Sequence, residues 1–127
     1  MKNNMVGWFE IPVSNMGRAI AFYEEVFDVT MNHQHMGPLE MAWFPFKEDG
    51  SGSPGSLVYH KDFYKPSADG VLIYLTAHSG DLENELSKVE SAGGKILQHK
   101  KQISEEYGFM ALIIDSEGNR VALHSRQ

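Results

Sequence analysis

Apolar and polar side chains alternate at the start of the chain, and the pattern then changes to helical spacing. The alternation predicts a β-strand over residues 6–13, and Ser14 or Asn15 is the expected N-cap of a following helix. The apolar stripe of that helix consists of Met16, Ala19, Ile20, Tyr23, Val26 and Phe27. Three shorter β-like runs follow, at residues 29–34, 39–46 and 56–60.

The second half of the chain repeats this order of elements. It predicts a strand over residues 71–78 and a helix that begins at Gly80 or Asp81 and ends at Gly93, where glycine tolerates the left-handed conformation. Three more strands are expected, at about residues 95–101, 107–114 and 120–125, with a hairpin turn at residues 115–119. The predicted order is therefore βαβββ, twice.

An internal duplication explains this repetition. Sliding one half over the other by about 66 positions aligns the helix stripes and pairs Trp8 with Tyr74. We expect one α+β domain in which module 1 (about residues 4–65) and module 2 (about residues 66–127) form curled mixed sheets around a concave site.

Composition excludes several classes of partner and chemistry. The 127 residues contain 42% hydrophobic side chains, enough for one core, and carry a net charge of −6, which opposes binding to nucleic acid or an anionic membrane. No apolar run approaches the roughly 20 residues that span a bilayer, and residues 1–4 lack the apolar segment of a secretory signal, so a cytoplasmic location is expected. Without cysteine, the chain has no thiolate nucleophile or sulfur ligand.

Residues 47–55 are rich in Gly and Ser but do not suggest a phosphate-binding loop. Such a loop would open into a helix N-terminus, whereas this one leads into the strand predicted at residues 56–60. We expect a mobile hairpin loop. The sequence leaves open whether its part from Gly50 to Gly55 acts as a lid.

Four segments carry a resemblance to a known family: WFEIPV (residues 8–13), RAIAFYEEVF (18–27), AGGKI (92–96) and DSEGNRVALHS (115–125). Together they resemble the vicinal-oxygen-chelate superfamily of glyoxalases, bleomycin resistance proteins and extradiol dioxygenases, and in particular a bacterial, glyoxalase-like subgroup. The resemblance implies two sheets that pair into an incomplete barrel, a concave interior that holds a ligand or a metal, and frequent association of two chains.

The resemblance also implies four metal-ligand positions, one in the first and one in the last strand of each module. They fall on Trp8, Val58, Tyr74 and Ala122, none of which is a good ligand for a divalent ion. The usual metal site of the family, and the carboxylate that acts as glyoxalase base, are therefore predicted to be absent.

A shifted site is the alternative. Residues two steps along a strand share a face, so Glu10, His60 and His124 are a tentative ligand set for Zn, Ni, Fe or Mn. Glu10 is also the tentative catalytic acid or base. In the other interpretation, these three side chains lie at strand ends in solvent and bind no metal. His33 and His35 would point the same way on a strand, but we expect two exposed histidines in a loop.

Aromatic residues give the stronger indication of a binding site. They are Trp8, Trp43, Phe44, Phe46, Tyr59, Tyr74, Tyr107 and Phe109, and they fit a pocket for a planar ligand, an ordinary core or a dimer interface. The predicted ligand-binding residues are Trp8, Glu10, Val58, His60, Tyr74, Ala122 and His124.

Three functions remain open from the sequence. The first is a metal-free protein that binds a small organic molecule in an aromatic concave pocket, as the absent metal ligands suggest. The second is a metal-dependent lyase, isomerase or dioxygenase that uses the shifted set. The third is a non-catalytic scaffold or interaction protein. A homodimer is expected from the family and from the many aromatic side chains.

Overall fold

The computed structural model describes residues 3–127 and has the predicted order of elements. Module 1 contains β1 (Glu10–Pro12), α1 (Met16–Phe27), β2 (Asn32–Met36), β3 (Leu39–Trp43) and β4 (Ser56–Tyr59). Module 2 contains β5 (Tyr74–Thr76), α2 (Leu82–Val89), β6 (Lys95–Ser104), β7 (Gly108–Ile114) and β8 (Arg120–Ser125). The α+β fold with two βαβββ modules is confirmed.

Both helices begin where the sequence predicted. The side chain of Asn15 accepts a hydrogen bond from the Arg18 N–H, and that of Asp81 accepts one from the Glu83 N–H. Each cap satisfies one of the N–H groups that have no partner within the first turn of a helix. Neither helix in residues 3–127 has the length and apolar character needed to cross a lipid bilayer.

Each module forms one four-stranded mixed sheet. Sheet A has the strand order β1-β4-β3-β2 and sheet B the order β5-β8-β7-β6, with one parallel pair in each, β1 with β4 and β5 with β8. Within residues 3–127, no strand of one sheet pairs with a strand of the other. The modules meet through α1 and α2, which pack against each other and against their own sheets.

The core lies on the helix side of both sheets. Ile11 and Leu57 of sheet A and Val121 and Leu123 of sheet B join the helices in one hydrophobic cluster. Because successive strand residues point to opposite faces, their neighbours in sequence point away from the helices. We call this second side the open face. One row across the open face of sheet A consists of Glu10, Ser56, Trp43 and Asn32, and the equivalent row of sheet B consists of Tyr74, Ala122, Leu112 and Gln98.

The backbone pairing corrects the alignment of the two halves. The Ser56 N–H donates to the Phe9 carbonyl, and the Ala122 N–H donates to the Ile73 carbonyl in the same way. Tyr74 is therefore the counterpart of Glu10, whereas the sequence shift paired it with Trp8. The shift holds for the helices but fails for these strands, because three residues separate Ala77 from the cap Asp81 and only one separates Val13 from the cap Asn15.

Strand lengths also differ from the prediction. The strands expected over residues 6–13 and 71–78 have three residues each, β1 and β5. The placement of His33 and His35 in a loop was wrong, because both lie on β2. Gly37, with a φ of 63°, and Pro38 form a two-residue turn that lets β2 pair with β3 as far as Met36.

Candidate functional site

The turn between β7 and β8 is fastened to module 1 by a buried polar network. The Tyr23 hydroxyl donates to Asp115 Oδ2 at 2.6 Å, and Asn119 Nδ2 donates to the Pro12 carbonyl at 2.8 Å. Burial, and then the charge of Asp115, raise the pKa of Tyr23 well above its ordinary value, so the phenol stays a donor. The turn thereby closes the boundary between the modules on this side.

Glu117 extends this closure to the start of α1. Its carboxylate accepts hydrogen bonds from the N–H groups of Ser14 and Asn15 at 2.9 and 2.8 Å, and from Arg18 Nε at 2.7 Å. Burial alone would raise the pKa of Glu117, but the hydrogen bonds from Arg18 and from the backbone N–H groups lower it to about 2. An ionised carboxylate here satisfies free N–H groups at a helix N-terminus.

The equivalent connection of module 1, between β3 and β4, has no comparable network among the described residues. The Phe44 N–H donates to the Gly55 carbonyl at 3.2 Å, and the Gly50 N–H donates to the Lys47 carbonyl at 3.0 Å in a local turn. The Ser53 hydroxyl makes a long hydrogen bond of 3.3 Å to the Gly7 carbonyl, which also belongs to module 1. This connection stands away from module 2. A cavity of about 470 Å³ lies between them.

Aromatic side chains dominate the wall of this cavity. Phe9, Phe27, Phe44 and Phe46 come from module 1, and Tyr74 comes from module 2. The remaining lining residues are Val29, Pro45, Lys47, Glu48, Gly50, Ser51, Gly52, Ser53, Pro54, Leu75, Thr76 and His78. The volume lies in the range of about 300–1,000 Å³ that is typical of small-molecule sites. We refer to it as the aromatic cavity.

Gly55 supports Phe9, one of the aromatic side chains in the wall of the aromatic cavity. It is buried, has a φ of 67°, and a Cβ added to it would lie 2.1 Å from the nearest ring carbon of Phe9. The Phe9 ring therefore rests directly on the backbone of Gly55, and it also packs beside Phe44 with the ring centroids 6.0 Å apart. The backbone conformation favours glycine at this position, and the close approach of the Phe9 ring requires it.

Of the seven predicted ligand-binding residues, Tyr74 lines the aromatic cavity. Glu10, Val58, Ala122 and His124 lie on the open faces of the two sheets. Trp8 also lies against the open face of sheet A, where its ring meets that of Trp43 edge to face at 5.5 Å. His60 directly follows β4, and its ring lies 4.9 Å from that of Phe63.

Glu10 has a partner that the sequence did not indicate. The Tyr64 hydroxyl donates to Glu10 Oε1 at 2.6 Å, and this hydrogen bond is the main cause that raises the pKa of Tyr64. Glu10 and Arg120 both line a smaller cavity of about 180 Å³. Beside Glu10 in the same row, the Ser56 hydroxyl and the Trp43 indole N–H are buried without a hydrogen-bond partner.

The structure does not bring the shifted set together as a metal site. His60 Nδ1 accepts a hydrogen bond from the Asp62 N–H at 3.0 Å, and His124 Nε2 lies 2.6 Å from the Tyr107 carbonyl. Within residues 3–127, another group of three does have its possible ligand atoms within 4.8 Å of one another. It consists of His33, His35 and Glu40.

The residues in the equivalent rows do not fit the metal that the family resemblance implies. With the corrected alignment, the positions in the first and last strands of the modules are Glu10, Ser56, Tyr74 and Ala122. Only Glu10 offers a carboxylate, while the other three offer a hydroxyl, a phenol and a methyl group. This set supplies one strong ligand where three or four are needed.

Two groups of residues escaped the sequence-based prediction. Phe9 and Phe27 line the aromatic cavity although their spacing indicated only a core strand and a core helix. Glu40 joins the two histidines of β2 because it lies on the neighbouring strand. The sequence did contain one indication of this group, the H-x-H spacing of His33 and His35. Had residues 32–43 been predicted as a hairpin, that spacing would have pointed to Glu40 on the neighbouring strand.

Comparisons with known proteins agree with this architecture. Glyoxalase I from Zea mays superposes with a TM-score of 0.68 at 16% identity. The match covers 94% of this chain and 45% of the Zea mays protein, so this chain spans about half the length of that relative. A glyoxylase/bleomycin resistance protein/dioxygenase domain from Frankia sp. EAN1pec has a TM-score of 0.71 at 12% identity, with 98% of each chain covered.

An antibiotic binding protein, TnmS3 from Streptomyces sp. CB03234, has a TM-score of 0.64 at 21% identity. The match covers 100% of this chain and 99% of TnmS3. No curated protein sequence matches the chain. The model of the Glyoxalase/Bleomycin resistance protein/Dioxygenase superfamily matches residues 5–123. The chain therefore belongs to this superfamily.

Proposed function

We propose that the protein binds a small, largely apolar organic molecule in the aromatic cavity. The observation that carries the proposal is an open cavity of about 470 Å³ with five aromatic side chains in its wall. Aromatic rings give a large apolar contact area and favour stacked or edge-on contacts with a second ring. A planar ligand that contains a ring fits this wall best.

The polar lining residues would orient such a ligand. Thr76 and His78 follow Tyr74 along β5 and its continuation, and Lys47 and Glu48 lie on the opposite side. A few polar groups in an apolar wall are the usual source of orientation and specificity. Most of residues 47–54 line the cavity, and residues 47–52 are exposed. We further propose that this segment adjusts to the bound molecule.

Binding without catalysis is favoured over a metal-dependent reaction. Glu10, the candidate acid or base, is bonded to Tyr64 and does not line the aromatic cavity. A metal-dependent lyase, isomerase or dioxygenase has no specific support, since His60 and His124 each have a separate partner. The description of TnmS3 as an antibiotic binding protein agrees with a binding role, but at 21% identity its likeness concerns the fold alone.

We also propose that two chains form a homodimer through their open faces. Met110, Leu112 and Ile114 lie on the open face of sheet B and are only partly buried. A dimer that joins this face to the open face of sheet A would bring together the remaining predicted residues: Trp8, Glu10, Val58, His60, Ala122 and His124. Light scattering that shows a monomer at micromolar concentration would contradict this association. The cytoplasmic location stays a prediction from the sequence.

A dye titration tests the ligand-binding proposal. We choose 1-anilinonaphthalene-8-sulfonate, an aromatic dye with one anionic sulfonate group that fluoresces in apolar surroundings, and expect one saturable site by fluorescence. Phe46→Ala removes an exposed ring of the cavity. Phe63→Ala is its control, because Phe63 is also largely exposed but lies elsewhere. Loss of one aromatic contact of about 1 kcal/mol corresponds to roughly fivefold weaker binding.

A second matched pair removes a tyrosine. Tyr74→Ala should also weaken binding roughly fivefold, while Tyr107→Ala, at a site with similar exposure outside the cavity, should leave it unchanged. The cavity is the wrong site if the Phe63 and Tyr107 variants weaken binding as much as the Phe46 and Tyr74 variants.

A further inference from the structure

Three side chains with metal-binding groups lie together on the β2–β3 hairpin, away from the aromatic cavity. His33 and His35 are two residues apart on β2 and point to the same side of sheet A. His35 is the direct cross-strand partner of Glu40 on β3. Glu40 Oε2 lies 2.5 Å from His33 Nε2, and the two imidazole rings are 5.2 Å apart. The three possible ligand atoms lie within 4.8 Å of one another.

The backbone holds this group in place. β2 and β3 pair without interruption from Asn32 with Trp43 to Met36 with Leu39, and a two-residue turn closes the hairpin. His33 is diagonal to Glu40 across the pair, a position from which long side chains of neighbouring strands meet. The positions of all three side chains on the surface are therefore fixed by sheet register rather than by a flexible loop.

Solvent reaches the group. α1 packs against β3 and β4 but, within the described chain, not against β2. The side chains of His33 and Glu40 are 43% and 28% exposed. A cation can therefore approach from solution, and water can occupy the coordination positions that the protein does not fill.

We propose that His33, His35 and Glu40 bind one divalent transition-metal ion of the zinc class. Two imidazole nitrogens and one carboxylate oxygen form a set that zinc accepts, with the fourth position left open. Tetrahedral ligands about 2.0–2.2 Å from zinc are roughly 3.3 Å from one another. His33 and Glu40 lie 2.5 Å apart, and no pair of the three ligand atoms is more than 4.8 Å apart, so small side-chain rotations reach this geometry. The ion then replaces the contact between His33 and Glu40.

The site differs in place and composition from the positions that the family resemblance indicated. Those positions lie on the open faces of the sheets, whereas His33, His35 and Glu40 lie on the other side of sheet A, beyond the edge of the helix layer. The proposal is therefore independent of ligand binding in the aromatic cavity.

Calorimetric titration of the metal-free full chain with Zn²⁺ tests the proposal. We expect one ion per chain, and at least tenfold weaker binding for His35→Gln and for Glu40→Gln. His99→Gln is the control, since His99 is an exposed strand histidine in the other module. Circular dichroism verifies that each variant is folded.

A folded wild-type protein that binds no Zn²⁺ would overturn the proposal. So would folded His35→Gln and Glu40→Gln variants with unchanged affinity, or a loss of affinity in His99→Gln as large as theirs. X-ray absorption at the zinc edge should show two imidazoles and a carboxylate in the wild type, and a single imidazole in His35→Gln.

Discussion

The connection between the third and fourth strands differs between the two modules. In module 2 it is the turn at residues 115–119, whose polar side chains hold the β1 strand and the start of α1. In module 1 it is the longer segment from residue 44 to residue 55, whose outer part borders a cavity of about 470 Å³. One backbone plan thus gives two different boundaries between the modules. On one side hydrogen bonds close it beside a small cavity of about 180 Å³, and on the other it is open and aromatic.

The difference follows from the side chains of the two connections. Asp115 and Glu117 accept several hydrogen bonds each, and their partners Tyr23 and Arg18 belong to the other module. The module 1 segment is rich in Gly and Ser. Among the described residues, none of its side chains forms a hydrogen bond to module 2. A buried polar network in which every group has a hydrogen-bond partner holds two elements rigidly together. A boundary between apolar walls that has no such network can leave room for a ligand.

The largest effect is expected when the closed connection is broken. Asp115→Ala removes the acceptor for Tyr23, for the Asn119 side chain and for two backbone N–H groups. At about 1 kcal/mol per buried hydrogen bond, the free energy of unfolding should fall by about 4 kcal/mol. Urea unfolding measures this loss. Asp49→Ala in the open connection is the control and should change stability by less than about 0.5 kcal/mol.

Equal losses in the two variants would show that the connections do not differ in the way described. A small loss in Asp115→Ala alone would mean that the network contributes little to the joining of the modules.

A smaller loss is expected from filling the space between Gly55 and Phe9. Gly55→Ala places a methyl group 2.1 Å from the Phe9 ring, so the ring must move and the cavity wall must change. Overpacking of this kind costs about 1–3 kcal/mol, in addition to the strain of a positive φ. Gly52→Ala shares the positive φ but meets nothing within 4 Å. The difference in unfolding midpoint between the two variants measures the contact with Phe9 alone.

If Gly55→Ala were no less stable than Gly52→Ala, the packing of Phe9 on this glycine would be incorrect. The dye titration of Gly55→Ala should also show weaker binding, because Phe9 lines the aromatic cavity and its ring must move.

The smallest effect concerns the charge of Glu117. Its pKa is lowered from an ordinary 4.5 to about 2 in the folded chain, so its contribution is present above pH 4.5 and is lost as the pH falls toward 2. Because Arg18 is exposed, solvent screening limits this contribution to about 1 kcal/mol. The melting temperature of the wild type should therefore fall more steeply between pH 4.5 and pH 2 than that of Glu117→Gln. Parallel curves for the two proteins would contradict this assignment.

Local patterns predicted much of the fold. The caps Asn15 and Asp81, the helix stripes and the turn at residues 115–119 follow from spacing and residue type within short windows. The two β-strands at the module starts were predicted too long, since alternation continues beyond the residues that find a pairing partner. Only three residues of each are paired.

The site depended on contacts that no local pattern records. Tyr64 meets Glu10 across 54 positions, and Tyr23 meets Asp115 across 92. The equivalence of Glu10 and Tyr74 was hidden by a difference in loop length. Tyr74, Phe44 and Phe46 belong to the aromatic set that the sequence offered for a pocket, whereas Phe9 and Phe27 line the cavity although their spacing suggested only a core.

Mapping the bound dye on the molecule tests the central comparison most directly. We propose nuclear magnetic resonance titration of the isotopically labelled full chain with 1-anilinonaphthalene-8-sulfonate. The backbone amides of residues 74–78 and of the non-proline residues in 44–54 should shift, while those of residues 115–119 stay unchanged. Shifts centred on the 115–119 turn, or on the open face around Glu10 with none at residues 44–54, would contradict the account.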